Sequence, residues 1–176
     1  RASTHNHLGM LAAQRDRPTK ALQHAHAAFA LFQSAGHRFG QARTLNAIGW
    51  CYTLLGDHEQ AIVHCGRALA LFQKLGDREY QAAAWNSLGH AHHHLGHFAE
   101  ALDCFQHALD VVREFNDRWR EATVLDHLGD TRDAIGDHDG ARMAWQTALA
   151  ILDNVDQPGA DRVRDKLGQF APHLNR

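Results

Sequence analysis

The side chains best equipped for chemistry are five histidines within eight positions, His90, His92, His93, His94 and His97. Imidazole ligates metals and titrates close to neutral pH. On a helix, His90 and His94 share one face at i, i+4, as do His93 and His97, a spacing that can set two ligands on zinc or nickel. Asp130, one repeat further along, could complete a site with His90. A metal site wants three or four convergent ligands, however, and a helix spreads these rings around its cylinder. His90, His93, His94 and His97 are thus the metal candidates, disfavoured by geometry, and the chain is expected to carry no metal or other cofactor. The 16 histidines have a second consequence. Protonating all of them moves the formal charge from −2 to +14, so solubility and ionic contacts are expected to change strongly near pH 6.

No catalytic machinery stands beside them. There is no glycine-rich phosphate loop, no nucleophile with a paired base and no carboxylate pair in an expected cleft, so the chain does not read as an enzyme. Cys51, Cys65 and Cys104 are widely spaced on faces expected to pack inward, and read as reduced, buried thiols. A net charge of −2 gives no general attraction to nucleic acid or membrane. No basic stripe with interleaved aromatics is present, and no apolar run approaches the ~20 residues of a membrane span. The absence of a signal-peptide pattern and of an initiating Met suggests a fragment of a larger, cytoplasmic protein.

The elements that must position these residues follow from a strict repeat. Gly9, Gly49, Gly89 and Gly129 stand 40 residues apart, as do Ala21, Ala61, Ala101 and Ala141, and Ala28, Ala68, Ala108 and Ala148. Small residues recurring at one period indicate a helical array in which each unit buries its apolar face against its neighbours. In the third unit Trp85, Leu88, Gly89 and His92 form one stripe of a first helix, A. Ala101, Phe105, Ala108 and Leu109 form the facing stripe of a second, B. A mid-helix glycine costs about 1 kcal/mol against alanine. Close approach of helix B, through its alanines, is expected to offset that cost.

Turn chemistry sets the boundaries. Gly56, Gly96 and Gly136 end helix A, and Asp57 and Asp137 cap the start of helix B. Gly76-Asp77-Arg78 and Asn116-Asp117-Arg118 join successive units. In the first unit Asp16-Arg17-Pro18 replaces the glycine turn, with Pro18 suited to a first helical turn. Helices are predicted over 2–14, 18–34, 39–55, 58–75, 79–95, 98–115, 119–135 and 138–154, with a ninth near 159–170 carrying Val163, Leu167 and Phe170 as a cap. The predicted architecture is an all-α right-handed solenoid: four 40-residue units over 1–38, 39–78, 79–118 and 119–157, then a capping helix and tail over 158–176.

The order of small, aromatic and Leu-Gly positions resembles the tetratricopeptide repeat over nearly the whole chain, although the standard unit has 34 residues. Leu75-Gly76-Asp77-Arg78, the stretch from Ser87 to Gly96 and Ala160-Asp161-Arg162-Val163-Arg164 resemble more narrowly the C-terminal repeat region of the Streptomyces antibiotic regulatory proteins. In those regulators a DNA-binding domain, a bacterial transcriptional activator domain and an NB-ARC nucleotide-binding domain precede the repeats. The resemblance implies an interaction or sensing module whose partner is a peptide segment or the parent's own NB-ARC or DNA-binding domains.

In such arrays the helix A residues turned away from helix B line a concave groove, here positions 2, 5, 6, 9, 12 and 13 counted with each glycine as 8. Position 5 reads Asn6, Asn46, Asn86 and Asp126. Asparagine both donates and accepts, so a ladder of them can bind an extended peptide backbone whatever its side chains, or bond instead to neighbouring helices and set the superhelix. Position 9 reads Met10, Trp50, His90 and Asp130, and position 12 reads Ala13, Thr53, His93 and Asp133. Arg43 is the one cation the count places in the groove, so a clamp for a C-terminal carboxylate is not expected. Asp126, Asp130 and Asp133, at i, i+4, i+7, are expected to make the fourth unit electronegative and to favour a basic or polar segment. Two other readings remain open: a small-molecule or metal sensor using Trp50, His90, His93 and Asp130, and a structural spacer.

Overall fold

The computed structural model describes residues 1–15, 17–155 and 159–170, the side chains of Asn6, Met10, Gln14, Asn154, Val155 and Phe170 excepted. Asp16 and 156–158 therefore lie outside the described residues, as does the predicted tail from 171 onward. Helices follow one another as α1 (Ala2–Gln14), α2 (Pro18–Ser34), α3 (Arg38–Leu54), α4 (His58–Leu75), α5 (Arg78–His94), α6 (Phe98–Glu114), α7 (Arg118–Ala134), α8 (His138–Val155) and α9 (Ala160–Phe170). Each packs on the next, and the odd-numbered helices also meet along α3, α5 and α7. The result is an all-α right-handed solenoid. α3, α5 and α7 each begin and end one residue earlier than the spacing predicts, because Leu55, Leu95 and Ile135 serve as C-caps rather than as last helical residues.

The ends are built by local chemistry. Asp57, Asp77, Asp117 and Asp137 accept hydrogen bonds from the backbone N–H three residues on, at 3.0–3.2 Å, which satisfies donors that the first helical turn leaves free. His37 does the same through Nδ1, accepting from the Gly40 N–H at 2.9 Å. The turn from α5 to α6 passes through Gly96 at φ +76°, where the His97 N–H reaches back to the His92 carbonyl at 2.9 Å. A left-handed residue closing a helix in this way favours glycine. Asn116, at φ +53°, is the one non-glycine among the described residues to take such a conformation.

All eight alanines of the 40-residue register are buried, but they are not what the helix A glycines chiefly accommodate. Opposite each glycine stands the residue at the next helix B position: Ala25, Cys65, Phe105 and Trp145. A methyl group added at Gly89 would lie 2.6 Å from the Phe105 ring, one at Gly129 2.4 Å from the Trp145 indole, and one at Gly49 2.2 Å from Cys65 Sγ. At Gly9, facing the small Ala25, the nearest atom is the Ala21 carbonyl oxygen at 3.4 Å. Glycine is therefore required where helix B carries a bulky side chain, and the side chain grows along the array.

A graded outcome follows. Gly9→Ala should leave stability unchanged or raise it by up to about 1 kcal/mol through helix propensity. Gly89→Ala and Gly129→Ala should each lower it by about 1–3 kcal/mol, because a buried ring must be displaced. Urea unfolding of the three variants checks the order; equal effects at all three positions would refute this packing account.

Candidate functional site

The concave face of α3, α5 and α7 holds a cavity of about 380 Å³ lined by Asn46, Trp50, Asn86, Trp119, Arg120 and His127, among others. Helix periodicity brings Asn46 and Trp50 to one face of α3, and α5 and α7 repeat the register. The Asn46 Oδ1 is buried and has no hydrogen-bond partner among the described residues. The Asn86 Oδ1 accepts from the His127 Nδ1–H at 3.1 Å, which leaves the Asn86 amide N–H groups as its donors. Trp119 is half-exposed. A second cavity of about 120 Å³ lies on the other side of Trp50, bounded by Ala13, Arg43, Ala47 and Cys51. Arg43 stacks its guanidinium over Phe39 and Tyr80, 5.8 and 5.5 Å from the ring centres.

Other residues chosen from sequence fall elsewhere. Thr53 is buried, its hydroxyl donating to the Gly49 carbonyl at 3.3 Å. Asn6 and Met10 have side chains outside the described residues. Asp126 is buried beneath α9, where it receives Arg162 and, at 2.6 Å, the Lys166 ammonium. Lys166 also holds Asp130 at 2.5 Å, while Asp133 pairs with His138 at 3.0 Å. The electronegative fourth unit expected from its three aspartates is thus balanced by two cations from α9. Lys166 stands 40 residues beyond Asp126, in the same ladder register, and that step was its readable signal. Arg120 and Arg162, both bordering the larger cavity, fell outside the counted groove positions. Arg120 bonds Glu79 at 2.9 Å, tying α7 to α5.

The histidines form a network across three helix pairs. His94 stacks on His58 of α4 with centroids 4.7 Å apart, and meets His90 at 4.6 Å and His93 at 5.2 Å. His90 reaches Trp50 of α3 at 5.4 Å and His127 of α7 at 4.9 Å. Thr131 donates its hydroxyl to the His127 carbonyl at 3.0 Å. The Thr131 oxygen is then left to accept from His93 Nδ1 at 3.0 Å, which places a proton on that nitrogen. Around a cavity of about 60 Å³ stand His90, His93, His94, Phe105, His127 and Asp130. Among the described residues no group of three or more His, Cys, Asp or Glu is arranged to hold a metal. Asp130 is already held by Lys166, and His97, at the N-cap position of α6 without a side-chain cap bond, has its ring 5.7 Å from that of His92.

Burial dictates the protonation of these groups. It pushes His90 and His127 down to about 3, helped at His90 by the neighbouring imidazoles and at His127 by Arg162 and Lys166. His64, His92, His93 and His94 are also lowered, chiefly by burial. The large charge swing near pH 6 expected from composition is therefore smaller in the folded chain, because these six rings resist protonation. Burial raises Cys51 to about 11 and Cys65 and Cys104 to about 12, so all three are unreactive thiols at neutral pH.

The sign of the stability change follows from linkage. A buried neutral histidine binds its proton less readily folded than unfolded, so its contribution is complete above about pH 6.5 and is lost as pH falls toward 3. Between pH 7.5 and 5.0 each of His90 and His127 should remove about 2 kcal/mol. His127→Gln keeps an N–H donor for Asn86 but cannot titrate. Its melting temperature should fall less between those two pH values than that of the parent chain, and an identical fall would refute the assignment.

The same fold recurs in known structures. The BtubC (BKLC) structure from P. vanneervenii matches 88% of this chain and 64% of its own, with 20% identity and a TM-score of 0.75. A Rap protein complexed with Competence and Sporulation Factor matches 94% of this chain at 17% identity and a TM-score of 0.87, and apo RapI matches 95% at 17% and 0.76. The chain spans 46% and 47% of the length of those two structures. No curated protein matches it in sequence. The sequence profile of the tetratricopeptide repeat matches residues 1–74 and 80–154. With that profile covering most of its length, and with paired helices stacked in a solenoid beneath it, the chain belongs to the tetratricopeptide repeat family.

Proposed function

We propose that this array binds an extended peptide segment of a partner protein in the concave cavity between α3, α5 and α7. Tetratricopeptide arrays are protein-interaction scaffolds, and their stacked repeats create extended concave binding surfaces. The observation that carries the reading is the Asn46 carbonyl oxygen, buried at the wall of the 380 Å³ cavity without a partner. A buried acceptor left unpaired costs about 1–3 kcal/mol, and a backbone N–H that the Asn46 amide turns to meet at the cavity wall would recover it. Asn86 adds amide donors one repeat away, and Trp50 and Trp119 supply apolar surface of the kind that dominates binding energy. The Rap structure, similar in fold over 94% of this chain, is a complex with Competence and Sporulation Factor, which supports a binding role for an array of this fold.

The proposed array has four units over 1–38, 39–78, 79–118 and 119–157. Its resemblance to the Streptomyces regulators supports a place in a cytoplasmic, multidomain transcription regulator, with the parent's NB-ARC or DNA-binding domain as a candidate ligand. No helix among the described residues is long and apolar enough to cross a membrane. The groove offers hydrogen-bonding and apolar surface rather than a nucleophile with a base, which favours binding over catalysis.

Asn86→Ala would orphan His127, so Asn46→Ala and Trp119→Ala are the cleaner probes. Wild-type and double-variant chains, immobilised and exposed to lysate of the source organism, should differ: a protein retained by the wild type should be lost at least tenfold on the variant, with its melting temperature no lower than that of the wild type. Equal retention on both would overturn groove binding.

A further inference from the structure

The 40-residue register allows each face of the first helix pair to be compared with its equivalents further along. Leu8 is 42% exposed, whereas Ile48, Leu88 and Leu128 at the same position are 1%, 6% and 6% exposed. Leu11 is 49% exposed, and its equivalents Cys51, Ala91 and Thr131 are buried. Thr4 is exposed, while Thr44, Ala84 and Val124 are buried. On α2, Leu31 is 36% exposed, against half-buried Leu71 and buried Val111 and Ile151. Every one of these differences lies on the same side of the array.

What covers the equivalent faces is known. Ala84 and Leu88 of α5 lie in one buried cluster with Leu69 and Phe72 of α4, and Val124 and Leu128 of α7 lie in one with Leu109 and Val112 of α6. In each case a helix B of the preceding unit supplies a row of large apolar residues. At the opposite end, Val163, Ala160 and Leu167 of α9 close the last face against Ile151 and Leu152 of α8. Among the described residues, then, every helix B already carries a helix on the face that would be needed. A second copy joined head to tail has no free surface of the right kind to offer.

We infer that the open face of α1 and α2, built from Thr4, Leu8, Leu11 and Leu31, is an acceptor surface for the helix B of a further repeat unit carried ahead of Arg1 in the same polypeptide. The interface is the continuation of the three already present, in the same register and with the same apolar character. An exposed cluster of leucines at the end of a solenoid is otherwise a liability for solubility, which terminal repeats avoid with a polar outer face. The α9 end meets that requirement and the α1 end does not. The matched BtubC and Rap chains are longer than this one, which covers 64% and 46% of them.

The test is a chain in which residues 38–80 are repeated directly ahead of Arg1, which preserves the 40-residue register. Hydrogen exchange of the α1 amides should slow at least tenfold relative to the original chain, reaching the rates of α3. Leu8→Lys/Leu11→Lys in the extended chain should abolish the slowing, while the same pair in the original chain should change α1 exchange less than twofold. Unchanged α1 exchange on extension would overturn the inference. So would sedimentation of the original chain as a dimer that Leu8→Lys/Leu11→Lys dissociates, since a second copy would then occupy the face. Neither result depends on the groove ligand.

Discussion

The structure rests on how closely helix A and helix B of each pair can approach, and that distance is set by a missing side chain. Gly49, Gly89 and Gly129 leave room for Cys65, Phe105 and Trp145, which would overlap any methyl group in their place. Each glycine costs about 1 kcal/mol of helix propensity, and burial of a whole aromatic side chain returns more than that. Once the pair is closed, its outer surfaces are fixed. Leu and Phe residues on helix B meet the next helix A, while the Asn46 and Asn86 face turns toward the concave side.

The concave side is held by a different class of contact. Arg120 to Glu79, His127 to Asn86 and His93 to Thr131 all cross between neighbouring A helices. All three join α5 to α7, at sequence separations of 41, 41 and 38 residues that lie close to one repeat length. Polar contacts of this sort fix the angle between neighbours more sharply than apolar packing does, since a hydrogen bond weakens steeply with misalignment. Asn86 shows the compromise. Its carbonyl oxygen serves the scaffold while the residue also lines the cavity, whereas the Asn46 oxygen has no partner among the described residues.

Small residues were the most legible part of the sequence, because close packing leaves no latitude at Gly49, Gly89 or the buried alanines. Helix ends were legible to within a residue through Asp57, Asp117 and Gly96, whose conformations few alternatives satisfy. The groove was less so. Arg120 lay one turn ahead of the counted positions, and Asp126 looked like a free acidic group until α9 brought Arg162 and Lys166 onto it. A repeat period gives each residue's place within its unit, but not the offset between units. For that reason the His127 bond to Asn86 and the imidazole network needed three dimensions. Composition likewise counted 16 histidines without saying which lie in apolar surroundings.

The side chains opposite the helix A glycines increase in size from Ala25 through Cys65 and Phe105 to Trp145. In a solenoid, stability is close to a sum of terms for each unit and each junction. Those terms are therefore unequal here, and they rise in one direction. The largest buried cluster spans residues of α5 through α9. The array accordingly has a polarity that its even period conceals: thermal fraying is expected to begin at the alanine end and advance toward the tryptophan, like a zipper whose teeth grow larger along its length.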